Sequence, residues 1–199
     1  MLSAISVGQP ARERGDRTAP STALGDLTME GIGDRSASFD GRCEACGASL
    51  PDGEAGCQGQ FDEVLAREFG DYRYGRLHRL TVDTYSLQHP ERYMRSGKSF
   101  AAHLTGMWAA LDSDQAEAIN REVRRWLHGP RTLPRPEEPP PGKRGELTIE
   151  YVLGAADAEE HLDRVGEWAR STWSAWSAYH DLARQWIDRA TRETSTRKD

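Results

Sequence analysis

Residues 57–90 read CQGQFDEVLAREFGDYRYGRLHRLTVDTYSLQHP, and this stretch decides the fold. Phe61, Val64, Leu65 and Phe69 recur at the i, i+3, i+4, i+8 spacing of one helix face. Gly70 follows as a stop signal, because glycine accepts the left-handed conformation on which many helices end. After a turn over 71–75, a second helix is predicted over 76–88. Leu77, Leu80, Thr84 and Leu87 share one of its faces, while His78, Val82, Tyr85 and His89 lie on a neighbouring one. Such a helix is expected to be covered on two sides. Pro90 closes it, since the residue before a proline is pushed out of the helical region. Two helices joined by so short a turn are expected to pack antiparallel.

Working outward, a third helix is predicted from about Ser99, with Phe100, Leu104, Met107, Trp108 and Leu111 as its stripe. Asp114 and Glu117 have capping-box spacing for a fourth, with Ile119, Val123, Trp126 and Leu127 inward and Gly129-Pro130 as its end. Residues 130–145 carry six prolines. They read as an extended spacer standing off the surface, the alternative being a docking site for a proline-binding partner. Residues 146–153 alternate like a short strand and equally suit the start of a helix. Asp157 and Glu160 form another capping box, from which one long helix is predicted to about Thr191. Its inner stripe is Leu162, Val165, Ala169, Trp173, Trp176, His180, Ala183 and Ile187. Unbroken, it would span ~50 Å at 1.5 Å per residue, so a bend or an exposed end is expected. The sum is an all-α bundle of about five helices with a zinc-knuckle-like loop at its amino-terminal side. Residues 1–40 read as a disordered tail, 41–191 as one helical zinc-binding domain, and 192–199 as a second tail.

Composition excludes several function classes. The 199 residues carry a net charge of -6 and a pI of about 5.6, which is no basic footprint for nucleic acid. A mean hydropathy of -0.76 and the lack of any ~20-residue apolar run argue against a membrane helix. The start, MLSAISVGQPARERGDR, lacks the apolar centre of a secretion signal, so a cytoplasmic location is expected. No nucleotide-binding glycine motif, GxSxG or HExxH occurs.

The chemistry gathers at Cys43, Cys46 and Cys57, the only cysteines in the chain. Cys43-Glu44-Ala45-Cys46-Gly47 has the form CxxCG. Two thiols three apart grip one ion when the backbone turns tightly between them, and the glycine lets the loop fold back. Cys57 supplies a third thiolate, and zinc favours four such donors in a tetrahedron. The cofactor expected is therefore Zn2+. An odd cysteine count speaks against a disulfide framework. A redox dithiol would be expected to open a helix after a strand, whereas Pro51, Asp52 and Gly53 follow here. The fourth ligand is expected at His89, at the end of the second helix where an antiparallel partner puts the start of the first. His103, near the start of the third helix, is the alternative. His78 belongs to the opposite end, ~16 Å away along the helix. An open site, with water and an acid such as Glu44, Asp62 or Glu63 completing three thiolates, would instead be catalytic in form.

The amino-terminal CxxCG, the further Cys opening a helix, HRLTVDTYSLQHP (residues 78–90) and LTIEYVLGAADAEEHLDRVGEWARSTWSAW (residues 147–176) together resemble a bacterial domain-of-unknown-function family. The resemblance covers roughly residues 43–187, and His78, Tyr85, His89 and His103 fall on its pattern. It implies domain boundaries and a meaningful motif but brings no reaction. The expected role is a structural-zinc helical domain that binds a protein, or a small ligand in an aromatic helical pocket; Trp168, Trp173, Trp176 and Tyr179 could line one, but a Trp-rich face reads first as core. The alternatives are a zinc-dependent, hydrolase-like enzyme with an open metal position and a thiol redox sensor.

Overall fold

The computed structural model describes residues 41–195. The two expected tails, 1–40 and the last residues from 196, lie outside them. Eight α-helices follow in order: α1 (Gly53–Gly70), α2 (His78–Gln88), α3 (Pro90–Tyr93), α4 (Gly97–Asp112), α5 (Ala116–Leu127), α6 (Ile149–Leu153), α7 (Ala158–Ala175) and α8 (His180–Ser195). Among the described residues there is no strand, only an isolated bridge between Arg42 and Ser49. The class is all-α, as expected, with more and shorter helices than five.

α2 is the central element, packed on α4 at one side and α7 at the other. This accounts for its two covered faces: every residue from Asp83 to Gln88 is buried. α1 and α2 run antiparallel, as their paired side chains record. Phe61 stacks on Tyr85 with centroids 3.8 Å apart, and Phe69 lies over His78 at 4.6 Å. α4 packs on α5 and α8, and α6 bridges α1 and α7. The apolar centre of this half is aromatic. Phe100, Trp126, Trp168 and Trp176 are buried, with Phe100 and Trp176 edge-on at 5.6 Å. Burying side chains of this size is what holds such a bundle, since each removes 150–250 Å² from water.

Several boundaries differ from the sequence reading. α1 begins at Gly53, a turn earlier than Cys57. Asp114 and Glu117 form no capping box; α5 starts after Gln115, whose amide is held by Ser113 Oγ at 3.0 Å. Residues 149–153 are helical, not a strand. At α7 the Asp157 carboxylate does cap the Glu160 amide (2.9 Å), but the Glu160 carboxylate reaches back to the Ala156 amide (2.7 Å). The long carboxy-terminal helix is broken at Trp176. His180 stacks on Trp173 (3.9 Å) and donates from Nε2 to the Trp173 carbonyl oxygen (2.9 Å), which also accepts from the Trp176 amide (3.0 Å). α8 continues to Ser195, so residues 192–195 belong to a helix and not to a tail.

The proline-rich segment is a strap, not a stand-off spacer. Leu133 is buried, and its carbonyl oxygen passes so close to Gly97 that a Cβ there would sit 2.0 Å from it. Arg135 Nε donates to the Met94 carbonyl (2.8 Å), the Gly142 amide to the Ala45 carbonyl (3.0 Å), and Tyr179 Oη to the Glu137 carbonyl. Arg144, 1% exposed, donates to both Glu91 oxygens (2.5 and 2.9 Å), to the Gln88 carbonyl (3.2 Å) and to the Pro139 carbonyl (2.9 Å). Proline fixes an extended backbone with fewer donors to satisfy, which suits a segment held by side chains.

Candidate metal centre

The loop of residues 43–48 is built by its own backbone. The Cys43 amide donates to the Ala48 carbonyl and the Gly47 amide to the Cys43 carbonyl, both at 2.8 Å. Gly47 sits at φ +85°, a conformation that glycine alone adopts without strain. The turn faces Cys46 toward Cys57, which lies one turn inside α1, with the sulfurs 3.7 Å apart. His89 is the residue on which α2 ends, its backbone already off the helical path because Pro90 follows. Its Nε2 lies 3.5 Å from Cys43 Sγ and 3.4 Å from Cys57 Sγ. The four donor atoms of Cys43, Cys46, Cys57 and His89 all fall within 4.8 Å of one another, and none of these residues is more than 4% exposed. This group can hold a metal ion.

Its surroundings orient the donors. His89 Nδ1 donates to the Tyr85 carbonyl oxygen (2.9 Å). A carbonyl only accepts, so Nδ1 carries a proton and Nε2 is the nitrogen turned toward the sulfurs, the one that a metal would take. The Tyr85 hydroxyl donates to Cys57 Sγ at 3.6 Å, and its ring stacks on His89 at 3.9 Å. Tyr85 was a family-pattern residue in the sequence; its contact with the thiol was not legible there, because it depends on how α1 and α2 pair.

The electrostatics describe a cluster short of positive charge. Hydrogen bonds from Cys46 and Cys57 hold the Cys43 thiol far below its ordinary range. The hydrogen bond to Cys43, then that to Cys46, and burial push the Cys57 thiol far above it. One thiolate is accommodated at the expense of its neighbour, as expected of like charges sharing a site. Burial alone would pull the His89 imidazole down; hydrogen bonding to Cys43 and the charge of Cys46 offset it and push the group up to about 9. Burial and the nearby Cys57 raise the Tyr85 hydroxyl, which therefore stays a donor.

The other candidates lie elsewhere. His103 Nδ1 pairs with Asp83 at 2.8 Å, and Asp83 also accepts from Arg79 Nε at 2.6 Å. His78 is bound to the buried Glu68 (2.7 Å), which also accepts from Thr81 (2.5 Å) and His161 (3.1 Å). His78, Asp83 and Tyr85 thus serve three separate clusters. Glu44, Asp62 and Glu63 are exposed to solvent and are not part of the gathered group. The indoles are core: Trp168, Trp173 and Trp176 are buried, and Trp168 Nε1 is spent on Gln88 Oε1 at 3.0 Å. No described helix is long and apolar enough to cross a membrane.

The molecule is thus an all-helical protein with a buried group of three cysteines and one histidine able to hold a metal ion. The chain belongs to DUF5946, a family of unknown function, whose profile matches residues 41–177. That span takes in the loop, all four clustered residues and α7; α8 lies beyond it. No curated protein and no solved structure matches the chain.

Proposed function

We propose that Cys43, Cys46, Cys57 and His89 bind one Zn2+ ion and that this ion is structural, fastening the amino-terminal loop to the ends of α1 and α2. The spacing of the donors carries the reading. Bonds of about 2.3 Å to sulfur and about 2.0–2.1 Å to nitrogen at tetrahedral angles require S···S near about 3.8 Å and S···N near about 3.6 Å. The observed separations are 3.7 Å for Cys46–Cys57, 3.5 Å for Cys43–His89 and 3.4 Å for Cys57–His89. Four buried protein donors fill a tetrahedron, which favours a closed site over the open position a hydrolase needs. A divalent ion also supplies the charge that lets all three thiols ionise together. On this reading the helical body is a scaffold that presents its surface to a partner.

Metal analysis of the purified chain tests the proposal. About one zinc per chain is expected, falling close to zero in Cys57→Ala and in His89→Ala and staying near one in His103→Ala. A metal-free wild type, or loss of metal in the His103 variant alone, would sink it. Chelation that leaves the loop folded would move the balance to a sensing or catalytic role.

A further inference from the structure

A second site is suggested at the far end of α2 from His89. Between α4 and α5, with Arg79 of α2 at its edge, lies a cavity of about 290 Å³. That is near the lower end of the range for small-molecule sites, about 300–1,000 Å³. Its floor is apolar, made by Ala102, Val123 and Leu127, and its rim carries Arg79, Lys98 and Arg124. None of the described residues lining it is acidic, although the chain as a whole has a charge of -6. Ser99 and Asn120 add hydrogen-bonding groups.

The rim cations are not all spent on the fold. Arg79 is braced from behind: Nε binds the buried Asp83 (2.6 Å) and one terminal nitrogen binds the Ala102 carbonyl (3.0 Å). The fork is thereby held with its other terminal nitrogen uncommitted by these bonds. His103 shares the Asp83 charge, so Asp83 acts as a support for both. Lys98 donates to the Gly129 carbonyl beyond the end of α5 (2.8 Å). A favourable interaction with that helix end explains where Lys98 lies, but it explains neither Arg124 nor the apolar floor beside a fixed guanidinium.

We infer that this cleft binds a small organic anion, a carboxylate attached to a compact apolar group. The carboxylate would meet the Arg79, Lys98 and Arg124 cations, and the apolar part would cover Ala102, Val123 and Leu127. A guanidinium held in advance favours a planar carboxylate, because little side-chain freedom is lost on binding. The inference stands apart from the metal proposal. Arg79 is ten residues before His89 on α2, ~15 Å along the helix axis, and no cluster ligand lines the cleft.

The test titrates benzoate, benzyl alcohol and inorganic phosphate separately into the full-length, metal-loaded chain, following backbone amide resonances. Benzoate is expected to shift Ala102, Val123 and Leu127, with benzyl alcohol and phosphate each at least tenfold weaker. The double substitution Lys98→Gln with Arg124→Gln, at two positions that leave the Asp83 brace untouched, is expected to weaken benzoate at least tenfold. Metal content and helicity should stay at wild-type values, which separates failure here from failure of the metal site. No response to benzoate, an equal response to either of the other probes, or undiminished binding in the double variant would overturn the inference.

Discussion

The two halves of this molecule bury different kinds of side chain. Around Phe100, Trp126 and Trp176, α4, α5, α7 and α8 bury large rings against one another, and the stabilisation scales with area removed from water. Around Cys43 and Cys57 the loop buries Ala48 and Leu50 beside its two thiols, and those thiols meet Cys57 and an imidazole. On the proposed reading, an ion neutralises and joins those donors. With the proposed ion in place, the aromatic half would be stable by area and tolerant in detail, whereas the loop half would rest on coordination and on every single donor.

Removing the proposed ion should separate the halves most sharply. Structural zinc contributes roughly 10–16 kcal/mol of apparent binding free energy in small zinc-finger peptides. Strong chelation is expected to strip amide-exchange protection from residues 43–57 while α4, α5 and α8 keep theirs. Uniform loss across both halves would show that the division is wrong. Trp176→Ala probes the other side. Deleting a fully buried indole costs ~3–5 kcal/mol, to be read as a lower urea midpoint, with metal content unchanged. Arg144→Met acts where the halves meet. It leaves the Gln88 and Pro139 carbonyls without their donor and half-exposed Glu91 without its cation. A loss of ~2 kcal/mol is expected, below the ~3–5 kcal/mol of a fully buried pair because Glu91 still reaches solvent. Faster metal release to a colorimetric chelator should accompany it; release at the wild-type rate would mean that the strap does not guard the centre.

Much of the helical half was legible because its signals are local. The 3.6-residue stripes of Phe61–Val64 and Val123–Trp126 and the stop at Pro90 need no knowledge of partners. The approach of Cys57 to His89 also followed from an antiparallel pair, although α1 starts early enough to place Cys57 inside the helix. Pro51-Asp52-Gly53 read as turn chemistry, and the turn is there, but it leads straight into α1. What sequence could not show was tertiary. The break at Trp176 has no proline or glycine to mark it; its cap is the ring of His180 folded onto Trp173. The strap reads as spacer because proline-rich composition is usually extended and solvated, and what ties it down, from buried Leu133 to buried Arg144, is tertiary. The indoles read first as core, and burial agrees; composition alone leaves a pocket open beside it.

The tie between Gln88 and Arg144 spans 56 residues of chain, which sets an order of events during synthesis. At roughly 5–20 residues per second, the nascent polypeptide carries all three thiols and the imidazole for about 3–11 s before the arginine that ties the strap to Gln88 is made. During that interval the strap cannot be tied down, so the proposed zinc ion would meet its four donors before the strap is in place.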